Sequence, residues 1–344
     1  MSKKTTKRRK KTKGNLGRRL GFSLVAVLLF FGGTELVLRV LDIPSPDSEA
    51  RFTHNSVYWG GKDAANKQNE KTPHKEENTT FLVNTDDNGL RPPHHGVDKP
   101  DGVFRVMALG CSTTYGWGVD DQESYPAVLQ RLLQERGHDK VQVINGGQPG
   151  YTSFQGLWLW DQALKDYEPD LVLVGYIVQD SRKAAYSDLS QAVMQGEADF
   201  LKSNVLYGWK FYLLMKSMTG AVQIRAKERS EESQNSVYRI NEQEYLDNLR
   251  ALRAKIEDNG GQAAHFAYPL EVWSNGYQKT HAMLLKHEAE AAGIPHFDPG
   301  PVVEEEARKR TLYFPNDRGH ANADGNAFIA QLVADWLEQE SLIP

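Results

Sequence analysis

Short apolar runs that alternate with amphipathic segments fill the chain from Phe104 onward, and this alternation constrains the fold most. Apolar runs of this length are typical of strands buried on both faces of a parallel sheet. The pattern predicts strands at residues 106–109, 141–144, 171–175, 263–268 and 294–297. It predicts helices at residues 125–137, 154–167, 242–259, 278–292 and 324–338. Strands that alternate with helices indicate an α/β domain over residues 101–344, in which helices cover both faces of a central parallel sheet.

The N-terminal segment combines a basic block with an apolar stretch. Residues 1–19 hold ten Lys or Arg and no acidic residue, and residues 20–34 carry no charge. An apolar stretch at residues 20–42 is long enough to cross a bilayer, and the basic block predicts that the N-terminus stays in the cytoplasm. A cleaved signal peptide is the alternative, but no A-x-A-like site follows the stretch. We therefore expect a single-pass signal-anchor in the cell membrane, with the rest of the chain periplasmic or extracellular.

The charge and the cysteine content argue against a nucleic-acid-binding protein and against a fold held by disulfides within the chain. The net charge is −4, and beyond the basic block 31 basic residues face 45 acidic ones. An acidic body of this kind argues against nucleic acid as a partner. Cys111 is the sole cysteine, so no disulfide forms within the chain, and we interpret it as a small buried packing residue.

Two segments carry weaker signals. Residues 43–100 are polar and rich in Pro, and we interpret them as an extracytoplasmic linker and lead-in. The histidines in this segment, His74, His94 and His95, lack metal-ligand spacing and are expected in solvated loops. Residues 182–239 form an insertion whose apolar part, at about 205–218, predicts a helix packed on the core. The alternative is a lid, or a surface that rests on the membrane.

Polar residues follow the predicted strands at the points where the strands end. Ser112 follows the first strand, a Gly-rich loop at 145–150 follows the second, and Gln179-Asp180 lies beyond the third. Residues 317–320 come just before the last helix. Because ligands bind outside the carboxyl ends of strands in open α/β sheets, we expect these four loops to meet at one rim. Glycines in the second loop would let backbone N–H groups approach a ligand.

The residue types at this rim permit acyl transfer. A serine hydroxyl such as that of Ser112 becomes a nucleophile when a base takes its proton. The imidazole of His320 can be that base, and Asp317 can hold its other ring nitrogen. An oxyanion needs fixed donors, which the backbone N–H groups of Ser112 and Gly150 and the side-chain amide of Gln179 can supply.

These segments resemble, in order and spacing, the four sequence blocks of the SGNH, or GDSL-like, hydrolases. The resemblance rests on Gly-Cys-Ser-Thr-Thr-Tyr-Gly at 110–116, the loop through Gly150, Gln179-Asp180 and the D-x-x-H of residues 317–320. It runs from about Asn88 to the C-terminus, and Asn-Gly-Leu-Arg at 88–91 often precedes the first block in membrane-anchored bacterial members. The G-x-S-x-G elbow of α/β-hydrolases is absent around Ser112.

The resemblance implies a flavodoxin-like three-layer α/β/α fold and assigns roles to the rim residues. Ser112 would be the nucleophile, His320 the base and Asp317 its orienter, with the Ser112 and Gly150 N–H groups in the oxyanion hole. Two residues depart from the family pattern. Cys111 stands where Asp or Gly is common, and Gln179 stands where the third block usually has Asn. Gln offers the same amide one methylene further out, so either the loop backs away to fit it or this donor is misplaced and activity is low.

Together these observations predict a membrane-anchored serine esterase that works outside the cytoplasm without a metal or organic cofactor. The expected substrate is an acylated glycan of the cell envelope, such as an O-acetyl ester, and a lipid ester is the second expectation. An O-acyltransferase that uses the same acyl-serine intermediate is an alternative. A non-catalytic glycan-binding or assembly protein is another, favoured by Gln179 and opposed by the intact Ser112, Asp317 and His320. The sequence indicates neither the acyl chain length nor the oligomeric state.

Overall fold

The computed structural model describes residues 14–41, 66–184, 187–192, 209–212, 214–215, 237–270 and 276–344. The chain divides into two compact units. One unit comprises residues 1–55 and 194–231, and the other comprises residues 56–193 and 232–344. Most of the basic block, all of residues 42–65 and most of the insertion lie outside the described residues.

The first unit contains the apolar N-terminal helix, α1, which spans Gly14–Val40. Within Gly17–Val40, a stretch of 18 residues has a mean hydropathy of 2.0 and is 0% buried, so the length and composition of the segment are sufficient to cross a membrane. The helix also contacts two residues of the insertion, Lys210 and Phe211. The Glu35 carboxylate accepts the backbone N–H groups of Lys210 and Phe211 at 3.0 and 2.9 Å. The ring of Phe31 meets that of Phe211 edge-on. Lys210 and Phe211 therefore pack on α1. The sequence predicted instead a helix packed on the core.

The second unit is a three-layer α/β/α domain, which confirms the predicted fold class. Its five-stranded sheet is parallel throughout, and its strands are Phe104–Gly110 (β3), Val141–Gly147 (β4), Leu171–Gly175 (β5), Gln262–Phe266 (β8) and His296–Phe297 (β9). They lie in the order β4-β3-β5-β8-β9. The first strand of the sheet therefore lies between the second and the third, which is the flavodoxin-like order.

Helices and short strands complete this unit. The helices are Ser112–Tyr115 (α2), Tyr125–Glu135 (α3), Ser153–Gln162 (α4), Glu242–Asp258 (α5), Gly276–Ala292 (α6), Gly300–Ala307 (α7) and Ala323–Gln339 (α8). The short strands form two antiparallel pairs, Glu70–His74 (β1) with Thr79–Val83 (β2) and Lys183–Ala184 (β6) with Val237–Tyr238 (β7).

The alternation of side chains along the strands divides the core into two layers. Val106 and Ala108 of β3 point to one face, where they join apolar residues of α3 and α8. Met107 and Leu109 point to the other face, where they join residues of α4, α5 and α6. Successive strand residues face opposite sides, so a strand buried on both faces must be apolar throughout. This is why the unbroken runs identified the sheet correctly.

The sequence analysis was wrong at the end of β4. Residues 145–147 were assigned to a loop with glycines that face a ligand, but they belong to the strand. A Cβ atom on Gly147 would lie 2.3 Å from the backbone nitrogen of Tyr115, and one on Gly146 would lie 2.6 Å from Leu109. These two glycines are needed because α2 and the neighbouring strand pack directly on β4. At this end of β4, close packing explains the two glycines better than the approach of backbone N–H groups to a ligand.

Two further elements were missed. Helix α7 begins with Gly300 and Pro301, which obscure it in the sequence, although proline is tolerated in a first turn whose N–H groups have no partner within the helix. The β1–β2 hairpin was read as a solvated lead-in because it contains Pro73 and mostly polar residues. It packs on the domain through Phe81 and Val83, which are almost fully buried.

Candidate active site

Ser112 lies where strand β3 turns into helix α2. It is the first residue of that helix, and Cys111, which is buried as the sequence predicted, lies at the N-cap. The backbone N–H of a first helical residue has no partner within the helix. Strand β3 lies between β4 and β5, so Ser112 occupies the switch point at which flavodoxin-like sheets bind ligands.

The buried side chain of Arg91 holds the loop that follows Ser112. Its Nε donates to the Asp121 carboxylate at 2.7 Å. Its terminal nitrogens donate to four backbone carbonyls, those of Leu82, Tyr115, Gly116 and Val119. Arginine suits this position because its planar fork carries five donors. The Asn-Gly-Leu-Arg segment before the first sequence block therefore helps to fix the nucleophile loop.

The structure brings Ser112, His320 and Asp317 together. The His320 Nε2 lies 2.8 Å from the Ser112 Oγ, and its Nδ1 lies 2.7 Å from the Asp317 Oδ2. Ser112 and His320 are 208 residues apart in sequence, whereas Asp317 and His320 share one turn in which the His320 N–H donates to the Asp317 carbonyl. The three side chains thus form one continuous chain of hydrogen bonds, the arrangement that acyl transfer requires.

The electrostatics of Asp317 suit an orienting role. Burial raises the pKa of its carboxyl, but the hydrogen bonds and charges of His320 and His74 outweigh burial and lower the pKa to about 2. Asp317 is therefore ionised and accepts the Nδ1–H of His320. This leaves the Nε2 of a neutral His320 free to accept the Ser112 hydroxyl proton.

His74 corrects the expectation that the histidines of residues 43–100 lie in solvated loops. Its side chain is completely buried at the end of β1, and its Nε2 lies 3.0 Å from the Asp317 Oδ2. Next to it in the hairpin turn, Glu77 accepts the backbone N–H of Asp317 at 3.1 Å. No spacing in the sequence links residue 74 to residue 317, so only the folded chain reveals this contact.

Gly150 and Gln179 share one partner, Arg239, which sequence reasoning missed. The Arg239 Nη1 donates to the Gly150 carbonyl at 2.8 Å and to the Gln179 Oε1 at 3.3 Å. Its Nε and Nη2 each lie 2.9 Å from an oxygen of the buried Asp188. Because the amide oxygen of Gln179 faces Arg239, its NH₂ group points the other way and remains a donor. Gly150 follows β4 and Gln179 follows β5, the two strands that flank β3.

Asp180 does not lie at the rim, although the sequence placed it there with Gln179. It is completely buried and accepts the backbone N–H and the hydroxyl of Ser153, the first residue of α4. Burial raises the pKa of its carboxyl to about 7, although the bonds from Ser153 act in the opposite direction. Asp180 therefore fixes the start of a helix and supplies no group to the rim.

One cluster next to the triad has ligand atoms close enough for a metal ion. These atoms belong to His74, Glu76 and Asp317 and lie within 4.8 Å of one another. The Asp317 Oδ2 already faces two histidine nitrogens, so a cation bound there would compete with the bond to His320. The hydrogen-bonded triad explains the arrangement of these side chains without a metal.

Comparisons with known proteins agree with the four sequence blocks. The GDSL-like Lipase/Acylhydrolase family matches residues 108–328, a span that holds Ser112, Gly150, Gln179, Asp317 and His320. An arylesterase of Vibrio mimicus is 39% identical over 70 residues, which are 20% of this chain and 34% of that protein. The chain thus matches only about a third of the length of this relative.

Similar solved structures include a lipase/acylhydrolase from Enterococcus faecalis, with a TM-score of 0.46, 14% identity, and coverage of 69% of this chain and 97% of that one. A psychrotrophic esterase from Pseudoalteromonas gives 0.46 at 15% identity, covering 70% and 99%. An acetylxylan esterase from Geobacillus stearothermophilus gives 0.45 at 16%, covering 69% and 95%. The family match spans well over half of the sequence, and the chain belongs to the GDSL-like lipase/acylhydrolase family.

Proposed function

We propose that the protein is a serine esterase that cleaves a carboxylic ester through an acyl-serine intermediate. The observation that carries this proposal is the hydrogen-bonded chain from the Ser112 Oγ through His320 to the Asp317 carboxylate. Membership of an acylhydrolase family supports it. The intact triad also argues against the non-catalytic alternative.

The first half of the reaction transfers the acyl group to the protein. The Ser112 Oγ attacks the ester carbonyl carbon while the His320 Nε2 takes the hydroxyl proton. The carbonyl electron pair moves onto oxygen, and donors at Ser112, Gly150 and Gln179 stabilise that charge. The Asp317 carboxylate stabilises the imidazolium of His320. When the intermediate collapses, the bond to the alcohol oxygen breaks and His320 returns the proton to the departing alcohol.

The second half of the reaction regenerates the serine. A water molecule takes the place of the alcohol and attacks the acyl carbon while His320 removes one of its protons. The bond between the acyl carbon and the Ser112 Oγ then breaks, His320 returns the proton to that oxygen, and the acyl group leaves as a carboxylic acid. If a sugar hydroxyl attacks instead of water, the same intermediate yields an O-acyltransferase. The acceptor therefore distinguishes the two activities, while the triad serves both.

We place this activity at the membrane, outside the cytoplasm. The basic block before the apolar helix α1 supports an uncleaved anchor with a cytoplasmic N-terminus. An envelope glycan that carries O-acetyl or similar esters is the substrate we favour, with a lipid ester second. A reporter that is active only outside the cytoplasm, fused after Pro344, should be active. Activity only of a cytoplasmic reporter would contradict this topology.

The catalytic proposal is tested on the full-length chain in detergent with esters from acetyl to long acyl, with and without glycan acceptors. We expect turnover in the wild type and loss of turnover to background in Ser112→Ala, with unchanged thermal melting, because only the nucleophilic oxygen is removed. A serine-directed phosphonate should label Ser112. Cys111→Ser is the matched control and should retain activity, since it alters the neighbouring side chain and leaves the triad intact. Full turnover in Ser112→Ala would refute the mechanism, and acyl transfer to a glycan would assign the acyltransferase.

A further inference from the structure

The hairpin β1–β2 contributes one side chain to the network of the triad. The Nε2 of His74 and the Nδ1 of His320 face the same oxygen of Asp317, at 3.0 and 2.7 Å. Residue 74 is 243 residues from Asp317 in sequence and lies before the first family block. One carboxylate oxygen thus joins two histidines, of which only His320 reaches the nucleophile.

The surroundings of His74 determine which of its nitrogens carries the proton. The ring is completely buried and lies edge-on to Phe314, with ring centroids 4.7 Å apart. Its Nδ1 is buried and has no hydrogen-bond partner among the described residues. A proton on Nδ1 would be unsatisfied, whereas a proton on Nε2 meets a carboxylate oxygen. A proton on Nε2 is therefore favoured over one on Nδ1, and the Nε2–H donates to Asp317.

The rest of the hairpin keeps the ring in this position. A Cβ atom on Gly118 would lie 3.0 Å from the ring, so the histidine packs tightly against that loop. Glu77 accepts the backbone N–H groups of Asn316 and Asp317 at 2.6 and 3.1 Å. The hairpin therefore holds the catalytic loop by its backbone, through Glu77, and by its carboxylate, through His74.

Resting on the function proposed above, we propose that His74 is a positioning residue that holds the Asp317 carboxylate in place for His320. A donor on the shared oxygen fixes the carboxylate in the plane that the His320 ring needs. The same donor draws off part of the negative charge that stabilises the imidazolium. Loss of the donor should slow acylation, because the carboxylate is no longer held in place for His320. It should also make His320 easier to protonate, because more of the negative charge of the carboxylate then faces the ring.

The test measures the rate at which a phosphonate labels Ser112 in the full-length chain, across the pH range and with a chelator present. His74→Leu removes the donor and is expected to slow labelling by about 10–100-fold. It should also move the acidic limb of the rate profile upward by about 0.5–1 pH unit. His74→Gln keeps an N–H donor at a similar reach and should restore most of the rate and the original limb. If the Leu variant does not fold, His74→Phe is the second donor-free variant.

Two controls separate positioning from hairpin docking and from loss of any histidine. Glu77→Ala weakens docking and removes a negative charge, so it should slow labelling without moving the acidic limb upward. His287→Leu removes an exposed histidine and should match the wild type. A Leu variant with wild-type rate and limb would overturn the inference. The inference would also be overturned if His74→Leu is labelled more slowly, its acidic limb does not move, and His74→Gln is labelled equally slowly. A wild-type chain that the phosphonate does not label would instead overturn the proposed function.

Discussion

Two aspartates of the α/β domain, Asp180 and Asp317, have pKa values shifted in opposite directions. Burial raises the pKa of both carboxyls. At Asp180 burial dominates and the pKa reaches about 7, because the hydroxyl and N–H of Ser153 compensate only in part. At Asp317 the bonds and charges of His320 and His74 outweigh burial, and the pKa falls to about 2. The balance between burial and polar partners therefore decides the charge of each carboxyl.

This contrast extends to the two halves of the site. In the proposed mechanism, the triad half depends on the charge of Asp317, which stabilises an imidazolium during the reaction. The proposed oxyanion half depends on dipoles, the N–H groups of Ser112 and Gly150 and the amide of Gln179. A nearby cation, Arg239, is paired with Asp188. We therefore expect the triad half to fail when charge is removed and the oxyanion half to fail when a donor is displaced.

The largest effect is expected from Asp317→Asn. The amide keeps the size of the side chain but removes the charge, so His320 loses both its orientation and the stabilisation of its imidazolium. We expect kcat to fall by about 10³–10⁴-fold with little change in KM, as measured by steady-state ester hydrolysis. Asp317→Glu, which retains the charge on a longer stem, should be less impaired. A loss below about tenfold in Asp317→Asn would show that Asp317 does not orient the base.

A smaller loss is expected from Gln179→Ala. An oxyanion donor acts mainly in the transition state, so kcat should fall by about 10²–10³-fold while KM stays nearly constant. Gln179→Asn should behave like Ala, because the shorter side chain cannot both contact Arg239 and reach the oxyanion. A higher kcat in the Asn variant would show instead that Gln fits poorly in an ordinary loop. A change below about threefold in Gln179→Ala would remove Gln179 from the site.

Arg239 sharpens this prediction through a double-mutant cycle. Arg239→Lys keeps a positive charge but loses the planar fork that contacts Gly150, Gln179 and Asp188 at once. If Arg239 positions the Gln179 amide, Arg239→Lys should lower kcat less in the Gln179→Ala background than in the wild type. Additive effects would mean that the arginine acts on Gly150 or on folding alone.

The sequence predicted features that depend on residues close together in the chain, and it missed contacts between distant segments. The strands were predictable because burial on both faces demands unbroken apolar runs, and Ser112 follows one of them. Asp317 and His320 were predictable because they lie three positions apart in one turn. His74 and Arg239 were not, because each meets its partner only after distant segments of the chain come together. Asp180 was misplaced because adjacent residues beyond a strand face different surroundings, and nothing in the pair Gln179-Asp180 shows which one is completely buried.

The smallest predicted effect concerns stability and the carboxyl of Asp180. Its pKa is raised from 3.8 to about 7 on folding, so between these values the folded chain binds a proton that the unfolded chain has lost. This group therefore costs stability as pH rises from about 4 to 7, and the cost is complete above pH 7. Asp180→Asn removes the charge but keeps an oxygen for Ser153. It should be about as stable as the wild type near pH 4 and more stable by about 1–3 kcal/mol at pH 8. Thermal unfolding of both proteins at the two pH values measures the difference in their free energies of unfolding. The other titratable groups are common to both proteins and contribute equally, so they cancel from this difference. A variant that is no more stable at pH 8 would mean that Asp180 stays ionised in the fold, and the contrast with Asp317 would disappear.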